Sequence, residues 1–414
     1  MPDVVAASAS PRPLRSTVYA IYFFCGLALC FEGAFNPEFK DLFQLGYQQQ
    51  MYTLFAKNLP FALALAIGFL IPRLGYQNCL TLGLVLFATG TLLLVPGLHR
   101  ASYPLVLAAF FVIGLGFNCQ LVAGNPLLCA LDPADTAASR LNLGNALGAI
   151  AQILGPVTLT LIIPASATTA QQRLPYMGTL FAIVGTLLLG FALVTFLVRS
   201  PAIGRSGPLS NRTPLPSSTR RAPWFTTRLG FAFVTIFLAL GAEAGLFGLY
   251  RNYLEDPRLG ALAPTQSQRL FTLYFALFAL GRVVGAAVQR RVRPATTLAG
   301  GALAALALLG VIVGARGAVA LAAVTAIGFF VAIFFPTLYA LAVDGLGDDT
   351  AKASGLLTMG FLGCAVLPVL QGRMADRLGL QSSYAVAFLA YIAVLAFAVN
   401  ELRRPSRPAG PAPA

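Results

Sequence analysis

Histidine occurs once in this chain of 414 residues, and tryptophan once. With His99 as the sole imidazole there is no Ser/His/Asp constellation and no histidine-built metal set. No catalytic residue, metal or cofactor is therefore expected, and an enzyme is the least favoured class. Charge is scarce as well: Asp, Glu, Lys and Arg make up 10% of the residues, where soluble globular proteins carry about 25%. A chain that is also 57% hydrophobic could not cover itself with polar surface in water. Acids are the scarcer sign, 14 against 28 bases. The basic excess does not read as a nucleic-acid footprint, because the arginines form short clusters between apolar runs. The six cysteines (Cys25, Cys30, Cys79, Cys119, Cys129 and Cys364) lie in or beside apolar segments without metal-ligand spacing. They are expected to be free thiols acting as small hydrophobes.

What the chain has in quantity is long apolar stretches. They fall near 16–35, 50–71, 78–97, 104–124, 141–163, 175–198, 229–250, 268–289, 295–314, 317–343, 354–371 and 383–401. Each is about the 20 residues that cross a bilayer's hydrocarbon core. Arg12 and Arg15 precede the first, which runs into Glu32 without a small-residue cleavage site, so it is read as a retained helix. The expected fold is an all-α membrane protein of twelve transmembrane helices. Two six-helix halves, 1–198 and 229–414, flank a linker at 199–228 whose Pro, Ser, Gly and Arg content cannot bury enough apolar surface to fold. An even count places both termini on one side, together with the linker, Arg290/Arg291/Arg293 and Arg403/Arg404/Arg407. The opposite loops mix signs, as in Glu38/Lys40/Asp41 and Glu255/Asp256/Arg258. The positive-inside rule then makes the termini cytoplasmic. A multi-pass monomer in a bacterial inner membrane is expected, with lipid, a small-molecule substrate and a coupling ion as its partners.

The halves also repeat each other. Pro126-Leu-Leu-Cys-Ala-Leu131 ends the fourth segment and Pro336-Thr-Leu-Tyr-Ala-Leu341 the tenth. Each is followed by acids (Asp132, Asp135; Asp344, Asp348, Asp349), a base (Arg140; Lys352) and a Gly-rich segment carrying Pro156 or Pro368. Glu32 and Glu243 stand at a matching offset. A parallel repeat about an axis along the membrane normal is the architecture of the major facilitator superfamily.

Ionisable groups inside a bilayer are costly, and by default they are candidates for function. Glu32 and Glu243 are candidate proton carriers, Glu32 the preferred one because it stands near the external end of the first helix with Lys57 on the next, against a solvated helix end for the first and a structural acid for the second. Small neighbours around Glu243 (Gly241, Ala242, Ala244, Gly245) would let adjacent helices approach closely. Lys57 could pair with Glu32, contact substrate or snorkel. Arg282 could bind substrate or sit in a structural ion pair. An amide series, Asn118, Gln120, Asn125, Asn142, Asn145 and Gln152, would suit hydroxylated solutes or serve as interhelical glue. Gln120 and Asn145 are the preferred members, and Asn125 and Asn142 complete the candidate substrate set.

With these residues in view, the chain resembles the fucose:proton symporter family of that superfamily. The resemblance rests on Asn125-Pro126 … Arg140-Leu141-Asn142-Leu143, Gly241-Ala242-Glu243 followed by Asn252-Tyr253-Leu254, Gly281-Arg282, Phe335-Pro336-Thr337, and Pro368 … Gly372 … Asp376. It implies cation-coupled import of a monosaccharide or related compound. Three positions depart from the family. Its acid before the Asn-Pro pair falls on Leu121, its fifth-helix amide on Gly148, and its first-helix acid on Gly33, one residue from Glu32. The alternative on the same fold is proton-driven efflux of drugs or metabolites. It is disfavoured because Gly155-Pro156 leads into Val-Thr-Leu-Thr rather than paired glycines. A membrane sensor would need an output domain, and no segment outside the helices is long enough. In intact cells a cysteine at Ser382 should react with an impermeant reagent while one at Ser210 should not; labelling at Ser210 would invert the topology.

Overall fold

The computed structural model describes residues 12–64, 66–67, 74–130, 137–164, 166–197, 226–289, 291–343 and 350–404. Within the described residues, the expected apolar segments are largely helical. In chain order these are α1 (Arg12–Ala34, continued by Asn36–Leu42), α2 (Tyr47–Gln50, Tyr52–Asn58 and the 3₁₀ turn Leu59–Leu63), α3 (Tyr76–His99), α4 (Tyr103–Ala130), α5 (Ala137–Ile162) and α6 (Ala170–Leu197). The second half has α7 (Thr227–Glu255), α8 (Pro264–Gln289), α9 (Pro294–Gly314), α10 (Gly317–Val331 and Phe334–Val343), α11 (Thr350–Thr358, the 3₁₀ turn Met359–Leu362 and Gly363–Leu378) and α12 (Leu380–Ser383 and Val386–Leu402). Among the described residues nine of them are long and apolar enough to cross a bilayer, and ten if bent α1 is counted. The remaining two are α2, which runs into residues outside the described set, and α5, whose apolar part within it is Ile150–Leu159. The linker lies almost wholly outside the described residues. Its last residues belong to α7, because Thr226 caps that helix by accepting the Leu229 amide at 3.2 Å.

The interruptions have local causes. Proline has no N–H for the helical ladder, and its ring crowds the preceding turn. Pro37 opens the second part of α1, which turns 44° from the first. Pro60 sits in the 3₁₀ turn of α2, and α10 breaks at Ala332–Ile333, just before Pro336. The 3₁₀ turns of α2 and α11 meet across the two halves, where Phe61 stacks on Phe361 at 5.1 Å. Large apolar side chains such as Leu161, Leu193, Val283 and Leu389 remain exposed on the outside, as expected for a surface solvated by lipid.

Helices in a membrane gain little from hydrophobic contact with one another, so close backbone approach at small residues does much of the packing. Here the approach is repeated in both halves. A Cβ at Gly26 of α1 would lie 2.5 Å from the Gly148 carbonyl of α5. A Cβ at Gly241 of α7 would lie 2.5 Å from the Gly363 carbonyl of α11. Each pair is separated by 122 residues, so the same crossing occurs twice. A thiol marks each: Cys30 donates to the Gln152 carbonyl at 3.3 Å, and Cys364 donates to the Leu240 carbonyl at 3.4 Å. Of the two departures from the fucose family that fall on glycine, Gly33 is a close approach, where a Cβ would come within 2.1 Å of the Phe247 ring from α7, while a Cβ on Gly148 would meet only the Tyr22 carbonyl at 3.4 Å. No acid fits at Gly33 with Phe247 in that place.

These contacts predict a sharp contrast between glycines. Gly363→Val, where the added carbon would meet the Phe237 carbonyl, should destabilise by about 1–3 kcal/mol through overpacking. Gly300→Ala, with nothing within 4 Å, should leave the melting temperature unchanged or raise it, since alanine is the better helix former. Thermal denaturation in detergent checks both.

Candidate functional site

Two of the candidate residues, Lys57 from the first half and Glu243 from the second, lie within electrostatic reach of α11. Glu243 is carried by α7 between Gly241 and Gly245, the two glycines that touch α11 at Gly363 and at the Gln371 side chain. Two residues from each, and so roughly 200° round the helix, its carboxylate points towards α8. It is half-buried and makes no hydrogen bond or ion pair among the described residues. Tyr274 and Arg282 of α8 lie within electrostatic reach of it, and so does Tyr391 of α12. Arg282 is an exposed residue as a whole, and the central carbon of its guanidinium stands 4.7 Å over the Phe278 ring. Lys57 comes from the first half. It is buried on α2, and its charge reaches Cys364 on α11 as that of Glu243 does. It is held there by Gly114 of α4, where any side chain would strike the Lys57 carbonyl.

Several buried polar atoms lack a partner among the described residues, two of them on tyrosines within electrostatic reach of Glu243. The hydroxyls of Tyr274 and Tyr391 have none, nor does Oε1 of Gln120, a residue 3% exposed on α4. A buried polar group without a partner costs about 1–3 kcal/mol, so such atoms near one another are candidates for ligand contacts. Asn118 leaves its Oδ1 unpartnered too, but its Nδ2 donates to the Pro60 carbonyl at 2.7 Å and ties α4 to the turn of α2, which is the glue reading. Glu32 lies on α1, Asn125 on α4, and Asn142 and Asn145 on α5, but their side chains are outside the described residues. Among the described residues no three His, Cys, Asp or Glu side chains are grouped to hold a metal.

Sequence reasoning missed a second constellation, at the end remote from the termini, where the halves are joined by polar contacts. Glu38, which follows the bend of α1, is 4% exposed. It accepts from Arg173 of α6 at 2.5 Å and from Arg251 of α7 at 2.9 and 3.1 Å. Asn36 donates to the Gly248 carbonyl at 3.2 Å, and Gln50 donates to Asn252 at 2.9 Å. Asp376 of α11 accepts the backbone amides of Tyr47 and Gln48 at 2.6 and 2.9 Å, capping the start of α2 from the other half. Gly372 makes room, since a Cβ there would lie 2.6 Å from the Tyr47 carbonyl. In the sequence Glu38 and Glu255 stand in mixed-sign loops, which shows their charges but not their burial; the available signal is that Phe35, Asn36, Pro37 and Phe39 surround Glu38.

Comparison with known proteins agrees with this geometry. The sequence matches the Major Facilitator Superfamily over residues 18–361. The chain belongs to that superfamily. It is 31% identical over 385 residues to a glucose/galactose transporter of Brucella abortus, covering 91% of each chain. It is 26% identical over 396 residues to the L-fucose-proton symporter of Escherichia coli K12, covering 88% of this chain and 89% of that one. Among solved structures it superposes on the E. coli fucose:proton symporter with a TM-score of 0.66 at 22% identity, over 95% of this chain and 98% of the other. A bacterial homologue of the lysosomal transporter Spinster, inward-facing and occupied, gives 0.72 at 15% identity, over 95% and 98%. The protein is thus a multi-pass membrane transporter of the major facilitator fold.

The unpartnered atoms give a direct test. Tyr274→Phe and Gln120→Leu remove groups that the protein leaves unsatisfied, so folding stability should hold or improve. If those groups contact substrate, apparent affinity should fall about tenfold, or 1.4 kcal/mol. Melting temperature and transport KM measured on the same preparations separate the two effects.

Proposed function

We propose that this transporter imports a monosaccharide together with a proton, by alternating access between its halves. It would sit in a bacterial inner membrane with both termini cytoplasmic. The observation that carries the reading is Glu243: an acid deep in the chain, without a hydrogen-bond partner, facing Arg282 and two unpartnered tyrosine hydroxyls. Hydroxyls, an amide oxygen and a guanidinium can donate to and accept from the several hydroxyls of a sugar. An acid free of fixed partners can take up a proton when the site faces one side and release it to the other. The relatives named for glucose/galactose transport and for fucose–proton symport support the same substrate class and coupling ion.

In this mechanism Gln120 and Lys57 approach the substrate from the first half, and Glu243, Arg282 and Tyr274 from the second. Binding would draw the halves together around a site near the midplane. Asn125, Asn142 and Asn145 complete the first half's share in the proposal. Glu32 is the other candidate carrier, with Lys57 on the neighbouring helix as its proposed counter-charge. Between the two acids, Glu243 has the described surroundings in its favour.

Vesicle assays distinguish coupling from binding. Glu243→Gln should abolish uphill accumulation of sugar driven by a proton gradient while preserving counterflow exchange, and Glu32→Gln should retain both. If Glu32→Gln alone loses accumulation, Glu32 is the carrier. A parent protein that exchanges no sugar from a hexose and deoxyhexose panel overturns the substrate class.

A further inference from the structure

The cluster at the remote end is built from two acids and two bases, divided evenly between the halves. The first half supplies Glu38 and Arg173, and the second supplies Arg251 and Glu255. Within the first half Arg173 binds Glu38 at 2.5 Å and anchors its Nε on the Ala167 carbonyl at 2.9 Å. Within the second half Arg251 binds Glu255 at 2.6 Å, one helical turn along α7, and Ser267 of α8 hydrogen-bonds to both. Only Arg251 crosses between the halves in this cluster, to Glu38 and to the Ala34 carbonyl. The Arg251 side chain is 2% exposed, and the Glu38 side chain 5%.

Alternating access requires the faces of the two halves to part at this end in one half of the cycle. A single buried ion pair spanning the gap would be a poor closure. Breaking it would leave an uncompensated charge in each half, which is strongly unfavourable where water is restricted. The cluster avoids that outcome. When the halves separate, Glu38 leaves with Arg173 and Arg251 leaves with Glu255, and each half stays neutral and internally paired.

We infer that these four residues form a separable latch, in which the Glu38–Arg251 contact holds this face shut while Arg173 and Glu255 act as positioning residues that take over as counter-ions on opening. The inference rests on the alternating-access reading and on neither the sugar nor the proton. It assigns opposite effects to neighbouring residues. Removing the crossing acid leaves two arginines facing each other and favours opening. Removing a within-half counter-ion makes its partner depend on the crossing contact and favours closure.

The experiment uses spin labels at Ser166 and Arg316, which are exposed residues of the two halves at this end. The described native cysteines are all buried, so the label goes to the introduced pair. Distance distributions are recorded for the full-length protein in lipid nanodiscs without substrate. Glu38→Gln should raise the long-distance, open population at least tenfold over the parent. Arg173→Gln and Glu255→Gln should lower it, and should slow exchange of bound sugar in vesicles about tenfold. Arg173→Lys and Glu255→Asp keep the charge and should restore parental behaviour, which guards against variants that merely fold poorly. Shifts in one common direction, or lower melting temperatures with unchanged distances, would make the cluster a structural brace and overturn the latch. Since the distance arm needs no ligand, failure of the sugar assignment leaves it intact.

Discussion

The Glu38–Arg251 contact sets the terms for the rest of this structure. A charge removed from water must find its counter-charge within the protein, and here the partner belongs to the opposite half. That contact fixes the relation of α1 to α7 at one end, and the Asn36, Gln50 and Asp376 bonds secure the same face around it. With that face sealed, the halves meet at mid-depth through the stacked rings of Phe61 and Phe361 and through Lys57 reaching α11.

Within each half the constraint is different. The glycine crossings of α1 with α5 and of α7 with α11 bring backbones so near that no side chain fits between them. Such crossings brace each half internally. Between the halves, hydrogen bonds, ion pairs and ring stacks are joined by close approaches of the same kind at Gly372 against Tyr47 and at Gly248 against Leu54 and Met51, and these contacts must part when the halves rock. The same kind of crowding accounts for one missing polar group: Gly33, where the fucose-like pattern expects an acid, receives the Phe247 ring of α7.

Much of the fold was legible because bilayer-length apolar runs and a repeated proline pattern are properties of the sequence alone. Glu243 was legible for a related reason, since an acid among small residues in an apolar run has few bland explanations. The aromatic part of the site was not. Tyr274 and Tyr391 sit among 13 tyrosines and 31 phenylalanines, and nothing in their spacing shows which hydroxyl lacks a partner. Glu38, Arg173 and Arg251 were hidden for a different reason. They stand at the ends of apolar runs, where charges are ordinarily solvated, and only the packing of one half on the other buries them.

The two constellations differ in the one property that separates a gate from a binding site. At the sealed end the Glu38 carboxylate and the Arg251 guanidinium are matched with several partners, so the cluster has little capacity for a ligand and acts as a contact between protein surfaces. At mid-depth the balance is opposite, with an acid free of hydrogen bonds, two unpartnered hydroxyls and an unpartnered amide oxygen gathered from both halves. Unsatisfied groups in a low-dielectric setting favour whatever can satisfy them, and a polyhydroxylated solute can do so for several at once. Satisfying them from both sides would also pull the halves together at the site. Substrate binding and the opening of the far face would then act on the same rigid bodies, which is the coupling that an alternating-access carrier requires.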